Sequence, residues 1–375
     1  MEHIDNTQNE NQDKNQKHSR IDKDTPEHTA SSATSGEVDK KETPQQNEPD
    51  NENLSFKNRI DLSELQNGIQ LVRAEIGKVI VGQKAMIDML IASILANGHS
   101  LIEGVPGVAK TVSAKLLAKS LNVGFSRIQF TPDLMPSDIL GTSVFNMKTS
   151  EFEFKQGPIF SNMVLIDEIN RAPAKTQAAL FEVMEERQIT IDGNEFEMEL
   201  PFIVLATQNP VEQEGTYRLP EAQLDRFLFK IDVDYPNVDE EVKILNREQH
   251  LKGQEKTTKV TAHLSKEQIN TFQELVNEIS IEANLINYIA HVIVNTRNNP
   301  FLYLGASPRA SIAILKASKA FAAMEGRDFV TPEDIKRSAV PVLQHRVIVT
   351  PEREMEGVTT KQIIKQIIEA VEIPR

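Results

Sequence analysis

Five short apolar runs divide the first two thirds of the chain, and each has the length of a β-strand. They cover residues 100–103, 127–130, 163–166, 202–206 and 228–233. Apolar side chains between these runs recur at helical spacing, as at Leu180, Val183 and Met184. Strands that alternate with one-faced helices are typical of a parallel sheet covered by helices on both sides. The pattern predicts an α/β fold with a parallel five-stranded sheet in a three-layer α/β/α core.

Two stretches interrupt this alternation and carry the period-two pattern of hairpins. Residues 143–156 alternate weakly, and residues 188–200 alternate around the pair Asp192-Gly193. An Asp-Gly pair between alternating residues favours a tight two-residue turn. We expect both stretches to be hairpin insertions in the core.

Helical patterns replace strand patterns after Tyr235-Pro236, which indicates a domain boundary. The helix start signals there are Ser265 three residues before Gln268, Thr331 directly before Pro332, and Thr359 three residues before Gln362. A hydroxyl residue followed three positions later by Gln, or directly by Pro, is typical of a helix N-terminus. The sequence predicts an α/β core over residues 56–236 and a small all-α domain over residues 237–375.

Residues 1–55 differ in composition from the rest of the chain. They contain 13 acidic and 6 basic residues, and very few large apolar side chains. Such a segment buries too little apolar surface to offset the entropy of ordering it. We expect a disordered acidic tail that acts as a solvated spacer, which is favoured over a docking segment.

The overall composition narrows the function classes. The formal net charge is -14 and the sequence pI is about 5.2, which argues against tight binding to phosphate backbones. The chain has no cysteine, which excludes disulfides, thiolate metal sites and cysteine nucleophiles. It also has no apolar run near the roughly 18 residues of a membrane span. No basic, apolar leader follows Met1, so we expect a cytoplasmic protein without a membrane span.

A glycine-rich segment lies between the first predicted strand and a predicted helix, which is the context of a phosphate-binding loop. Its sequence is Gly-Val-Pro-Gly-Val-Ala-Lys-Thr at residues 104–111. The backbone N–H groups of such a loop surround phosphates, the Lys110 ammonium reaches the terminal phosphates, and the Thr111 hydroxyl ligates Mg²⁺. Ala109 stands where glycine is usual. The residues expected around the bound phosphates are Gly104, Val105, Pro106, Gly107, Val108, Ala109, Lys110, Thr111 and Val112.

Polar side chains follow two further predicted strands. Asp167 and Glu168 end one of them, where Asp167 can hold Mg²⁺ through water and Glu168 can orient an attacking water. Asn209 follows another strand, and its amide could bind the γ-phosphate or that water. Arg226 and Arg309 could each supply positive charge to a transition state, with a surface ion pair as the alternative for either.

The order of these motifs resembles that of the AAA+ ATPases, and within them the MoxR family, which is close to the magnesium-chelatase ATPase subunit and to replicative-helicase relatives. The residues that carry the resemblance are G-V-P-G-V-A-K-T at 104–111, F-T-P-D-L-M-P-S-D-I-L-G at 130–141, G-P-I-F at 157–160, L-I-D-E-I-N-R-A at 165–172, A-T-Q-N-P at 206–210, E-A-Q-L-D-R-F at 221–227 and S-P-R at 307–309. The resemblance covers roughly residues 60–372. It implies an ATP and Mg²⁺ site and identifies the all-α domain as a lid.

The resemblance also assigns roles to single residues. Asn209 is similar to the first sensor, Arg226 to the arginine finger that acts on a neighbouring subunit's nucleotide, and Arg309 to the second sensor of the lid. Val81-Gly82-Gln83 resembles the segment that lines the adenine pocket, and Val81 and Gly82 are the expected nucleotide contacts. Further candidates for the subunit interface are Arg171 and Arg218. An arginine finger implies a homo-oligomer, expected to be a hexameric ring.

Three functions are compatible with a ring that hydrolyses ATP. The first is chaperone-like remodelling or maturation of protein partners, which the MoxR resemblance associates with von Willebrand factor A domain proteins. The second is the ATPase motor subunit of a metal chelatase. The third is a nucleic-acid translocase, which the mild acidity and the lack of a basic, aromatic stripe disfavour.

Overall fold

The computed structural model describes residues 60–210, 216–251 and 260–373. Its strands, in chain order, are β1 (His99–Gly104), β2 (Phe125–Gln129), β3 (Gly141–Asn146), β4 (Glu151–Gln156), β5 (Met163–Asp167), β6 (Gln188–Ile191), β7 (Asn194–Glu197), β8 (Ile203–Gln208), β9 (Phe227–Val233), β10 (Leu302–Leu304) and β11 (Ile348–Val349). Strands β2, β5, β8, β1 and β9 lie side by side in that order and all run parallel. This confirms the predicted five-stranded parallel sheet.

Thirteen helices surround the strands in the described part of the chain. They are α1 (Ser63–Gly77), α2 (Lys84–Leu95), α3 (Lys110–Ser120), α4 (Pro136–Leu140), α5 (Ala174–Glu186), α6 (Glu221–Leu224), α7 (Val238–Leu251), α8 (Lys266–Glu278), α9 (Ala283–Asn298), α10 (Pro308–Met324), α11 (Pro332–Leu343), α12 (Pro351–Met355) and α13 (Thr360–Ala370). A short 3₁₀ turn, Ile169–Arg171, precedes α5. No helix among the described residues is long and apolar enough to cross a membrane.

The sheet is buried on both faces, and each face belongs to a different apolar cluster. In β5, Leu165 packs in one cluster with residues of α2 and α3, whereas Val164 and Ile166 pack in the other with residues of α5. Successive side chains of a strand point to opposite faces, so continuous apolar runs are required when both faces are covered. The predicted three-layer arrangement is confirmed.

Helix α5 runs along the sheet from the carboxyl ends of the strands to their amino ends. It starts shortly after the carboxyl end of β5, and its last turn lies beside the amino end of β1. There His99 Nε2 lies 3.1 Å from the Met184 carbonyl oxygen, and Arg187 Nη2 donates to the Asn97 carbonyl at 2.9 Å. Burial lowers the pKa of His99 to about 4, so this imidazole is neutral and structural.

The two inserted hairpins form as predicted and lie against each other. Strands β3 and β4 pair antiparallel, as do β6 and β7. Asp192 and Gly193 both have positive φ, 52° and 80°, as the tight turn requires. The Ser143 hydroxyl donates to an Asp192 carboxylate oxygen at 2.5 Å, and the rings of Phe154 and Phe196 are 4.4 Å apart.

The predicted helix starts in the C-terminal part are also confirmed. Ser265 and Thr359 each accept the N–H of the Gln three residues later, while that Gln side chain accepts the N–H of the hydroxyl residue. Thr331 is followed by Pro332 at the first position of α11. The domain boundary after residue 236 lies inside one compact unit and stays a prediction. The predicted acidic tail, 1–55, lies outside the described residues.

The turn between β1 and α3 contains an alanine in a backbone conformation that favours glycine. Ala109 has φ 62° and ψ 23°, in the left-handed region, directly before the first residue of α3. This conformation costs an alanine roughly 1 kcal/mol because Cβ approaches the carbonyl oxygen. The departure from glycine noted in the sequence therefore leaves local backbone strain in the loop.

We predict that Ala109→Gly relieves this strain and raises the free energy of unfolding by about 0.5 to 1 kcal/mol. The matched control is Ala178→Gly, at an exposed position inside α5, which should lower stability by about 1 kcal/mol. Urea denaturation followed by circular dichroism measures both changes. Equal destabilisation by the two substitutions would contradict the strained state of Ala109.

Candidate nucleotide-binding site

The carboxyl ends of the central strands open into a cavity of about 320 Å³. Glu103 of β1 pairs with Gln208 of β8, and Ile166 of β5 pairs with Ala206, so these strands end nearly level. Residues that follow level parallel strands meet at one edge of the sheet. The predicted residues that line this cavity are Pro106, Gly107, Ala109, Lys110, Thr111, Val112, Asp167, Glu168 and Asn209, and the lining also includes Arg127, Gln129 and Thr207.

The loop between β1 and α3 is fixed by close packing and by backbone shape. A Cβ atom at Gly104 would lie 2.7 Å from the Val233 carbonyl oxygen, so β1 and β9 approach too closely there for a side chain. Gly107 has φ +89°, which other residues rarely adopt. Val108 does not line the cavity, because its side chain is buried in the core. The loop is therefore anchored at its start and its middle.

Lys110 is the first residue of α3, and its ammonium group donates to the Gly104 carbonyl oxygen. Burial lowers its pKa, while the carboxylates of Asp167, Glu168 and Glu103 act in the opposite direction. The half-buried ammonium group and the helix N-terminus both favour an anionic ligand, since the helix dipole adds positive potential there.

Asp167 lies at the centre of a polar cluster at the end of β5. Its carboxylate accepts from Arg127 Nε at 2.6 Å and from the Thr207 hydroxyl at 3.1 Å. The Thr111 hydroxyl lies 3.4 Å from both carboxylate oxygens. A hydroxyl and a carboxylate at this separation are suitable oxygen ligands for Mg²⁺, directly or through water. No group of three or more His, Asp or Glu side chains that could hold a metal ion occurs within the described ranges.

Glu168 is held in place by its backbone and by its carboxylate. Its φ is 58°, and its N–H donates to the Thr207 hydroxyl at 3.1 Å. One carboxylate oxygen accepts from Gln129 Nε2 at 2.9 Å and lies 2.8 Å from Arg171 Nε. A non-glycine residue with positive φ at such a position is typical of functional sites. Arg171, predicted at an interface, is thus an ion-pair partner of Glu168.

Sequence reasoning missed Arg127, Gln129 and Thr207. Arg127 and Gln129 are two apart on β2 and share a face, and β2 pairs with β5 so that Gln129 lies opposite Asp167. The signal available in the sequence was the alternation of polar Arg127 and Gln129 with apolar Ile128 and Phe130. Their contact with the acidic pair becomes visible only when the strand order is known.

The remaining predicted nucleotide contacts line two neighbouring cavities. Gly104 and Val105 line one of about 320 Å³, together with Asp232 to Tyr235. Val81 and Gly82 line another of about 510 Å³. Gln83 Nε2 donates to the Asp234 carbonyl at 2.9 Å, which links the segment of Val81 to the wall of the first of these two cavities. The structure does not bring Val81 and Gly82 into the cavity of Lys110.

Arg226 and Arg309 do not line the cavity of Lys110 either. Arg226 directly precedes β9, whose first residue, Phe227, pairs with His99 at the amino end of β1. This is the edge of the sheet opposite to the loop between β1 and α3. Both arginines lie there against Glu185, with Arg226 Nε 3.4 Å and Arg309 Nη2 3.0 Å from its carboxylate oxygens. Arg218 is exposed and pairs with Glu221 at 3.5 Å.

A buried ion pair between Asp225 and Arg346 stabilises the segments that carry Arg226 and Arg309. The Asp225 carboxylate accepts from Arg346 Nε at 2.7 Å and from the Ser307 hydroxyl at 3.0 Å. Arg346 also donates to the carbonyl oxygens of Asp225 and Phe227 at 2.9 and 2.6 Å, and its side chain is only 3% exposed. Burial lowers the pKa of Arg346, and Asp225 opposes this. Removing either partner would leave a buried charge uncompensated.

Comparison with known proteins agrees with this geometry. Residues 99–229 match the family described as "ATPase family associated with various cellular activities (AAA)", and residues 294–367 match the AAA lid domain. The uncharacterized protein YeaC of Bacillus subtilis is 46% identical over 80% of this chain and 92% of its own length. Chaperone MoxR1 of Mycobacterium tuberculosis is 41% identical over 80% of this chain and 81% of its own.

A crystal structure of a protein from Cytophaga hutchinsonii shares the fold at a TM-score of 0.77 and 44% identity, and the match covers 83% of this chain and 97% of that one. The similarity to these proteins therefore extends over most of the chain. The chain belongs to the MoxR family of AAA+ ATPases.

Proposed function

We propose that this chain hydrolyses ATP with Mg²⁺ and uses the free energy to remodel or mature protein partners. The observation that carries the proposal is the convergence of Lys110, Thr111, Asp167, Glu168 and Asn209 in one cavity at the carboxyl edge of the sheet. Phosphoryl transfer depends mainly on positioning and on charge stabilisation, and these side chains supply both.

Each side chain has a role that follows from its surroundings. The loop N–H groups and Lys110 bind the phosphates, and Thr111 and Asp167 hold Mg²⁺. This ion offsets the negative charge of the phosphate oxygens. Glu168 orients water as a general base, and the side chain of Asn209, which is 7% exposed, contacts the γ-phosphate or that water.

The two arginines act on a neighbouring subunit's nucleotide. They lie beside the last turn of the 13-residue helix α5, and a helix of this length spans about 20 Å, from the carboxyl edge to the amino edge of the sheet. A subunit therefore keeps its arginines far from its own phosphate-binding loop. A ring, which we expect to be a hexamer, places this edge beside the next subunit's cavity.

The proposed clients are proteins, and we expect von Willebrand factor A domain proteins among them. We also propose that the chain acts in the cytoplasm. One support is the relative named as a chaperone. Another is the β3–β4 hairpin, where the ring centroids of Phe145 and Phe152 are 5.3 Å apart and Met147 is 89% exposed. Exposed apolar clusters of this kind mark interaction surfaces. The competing client is a chelatase complex, but the homologue named as a chelatase subunit is 29% identical over only half of this chain.

Separating nucleotide binding from hydrolysis tests the catalytic assignment. We predict that Glu168→Gln retains ATP affinity while kcat falls by about 10²-fold or more, because the general base is lost. Lys110→Ala should weaken ATP binding by about tenfold to a hundredfold, because a charge-assisted contact to phosphate is lost. Isothermal titration calorimetry and a phosphate-release assay measure the two quantities. A Gln variant that hydrolyses ATP normally would contradict the role of Glu168.

Mixing subunits tests action between neighbours. Arg226→Ala alone should lose about 10³-fold in kcat, as expected for an arginine finger. Adding Glu168→Gln protein, which is inactive by itself but carries intact arginines, should restore part of this activity. The defects lie on opposite sides of one interface, so each mixed interface can contain one complete site. An absence of recovery at any mixing ratio would refute action in trans.

The same variants test the client. Glu168→Gln protein held in ATP should capture a von Willebrand factor A domain protein from native lysate, because arrest before hydrolysis prevents release. Lys110→Ala is the matched control and should not capture it. Recovery of chelatase subunits or nucleic acid instead would replace the protein-remodelling proposal with one of the other two.

A further inference from the structure

Glu185 receives the guanidinium groups of two arginines that are far apart in the sequence. Arg309 Nη2 donates to Oε1 at 3.0 Å, and Arg226 Nε lies 3.4 Å from Oε2. The side chain of Glu185 is 37% exposed, that of Arg226 29% and that of Arg309 54%. The carboxylate is therefore shared by two arginines whose side chains are both partly exposed.

The end of α5 holds Arg226 in two ways. Arg226 Nη1 donates to the Phe181 carbonyl oxygen at 2.5 Å, one helical turn before Glu185. The C-terminal end of a helix carries partial negative charge, so it favours cations in addition to the carboxylate. Glu186, the next residue, is exposed and is not within ion-pair distance of either arginine among the contacts described for α5.

The backbones that carry the two arginines are joined as well. Asp225, directly before Arg226, accepts from the hydroxyl of Ser307, two residues before Arg309. The largely buried ion pair between Asp225 and Arg346 lies next to this hydrogen bond. Since the two segments are fixed relative to each other, the orientation of the guanidinium groups depends on the contacts of the side chains themselves.

Two guanidinium groups that converge on one site repel each other, and a shared carboxylate offsets this repulsion. One carboxylate with two guanidinium groups still leaves one net positive charge, which attracts a phosphate. We infer that Glu185 is a positioning residue that holds Arg226 and Arg309 together as one unit, presented to the nucleotide phosphates of a second copy of this chain. This inference rests on the proposed function and adds a residue that acts through both arginines without contacting the nucleotide itself.

The test compares Glu185→Gln with Glu186→Gln, which removes an adjacent exposed carboxylate with the same change of charge. For the full chain, Glu185→Gln should lower kcat for ATP about tenfold with KM within about twofold, whereas Glu186→Gln should change neither beyond about twofold. Unchanged kcat in Glu185→Gln, or an equal loss in Glu186→Gln, overturns the inference. Glu185→Asp, which keeps the charge, should recover part of the lost kcat if the variant is correctly folded, and no recovery counts against the inference.

Subunit mixing separates positioning in trans from a local defect. Glu185→Gln subunits mixed with Glu168→Gln subunits should gain about fivefold per active site, because the partner supplies a correctly held arginine pair. A structural defect at the end of α5 would remain in the same subunit and would not be rescued. Lack of rescue therefore overturns the inference, provided that the Arg226→Ala and Glu168→Gln mixture recovers activity. If that mixture fails too, the proposed function fails first and this inference fails with it.

Discussion

The common direction of the five central strands is the constraint on which the rest of the structure depends. Because all five run parallel, the loop before Lys110, the acidic pair after β5 and Asn209 after β8 reach the same edge of the sheet. The same constraint places Arg226, which precedes a strand, at the opposite edge. One subunit therefore carries the cavity of Lys110 and the two arginines at opposite ends of its strands, and the proposed function requires a second copy to bring them together.

Much of this site could be predicted from the sequence, because its main residues directly follow apolar strands. The loop before Lys110, the pair Asp167 and Glu168, and Asn209 are all marked by local patterns, and residues from each of them line one cavity. Arg127 and Gln129 could not be assigned, because their roles depend on β2 lying beside β5. Nothing in the local pattern shows which strands become neighbours.

The surroundings of Arg226 and Arg309 show more clearly what local sequence patterns cannot predict. Asp225 contacts Arg346 and Ser307, which belong to the lid region. Arg226 contacts Glu185, which belongs to α5. A buried ion pair such as Asp225 with Arg346 is costly to desolvate, and the further hydrogen bonds of Arg346 to backbone carbonyl oxygens offset part of this cost. Here it joins the lid to the segment that carries Arg226, so a rigid motion of the lid would be transmitted to that segment.

The most direct test of this account is a structure of the Glu168→Gln protein assembled in ATP and Mg²⁺. The account predicts that the guanidinium groups of Arg226 and Arg309 lie within about 3 Å of phosphate oxygens bound to the neighbouring subunit, as charge-assisted hydrogen bonds require. Both groups should be remote from the nucleotide of their own subunit. Arginines that contact the phosphates of their own subunit would contradict the account. A wild-type protein that stays monomeric in ATP and is fully active as a monomer would contradict it as well.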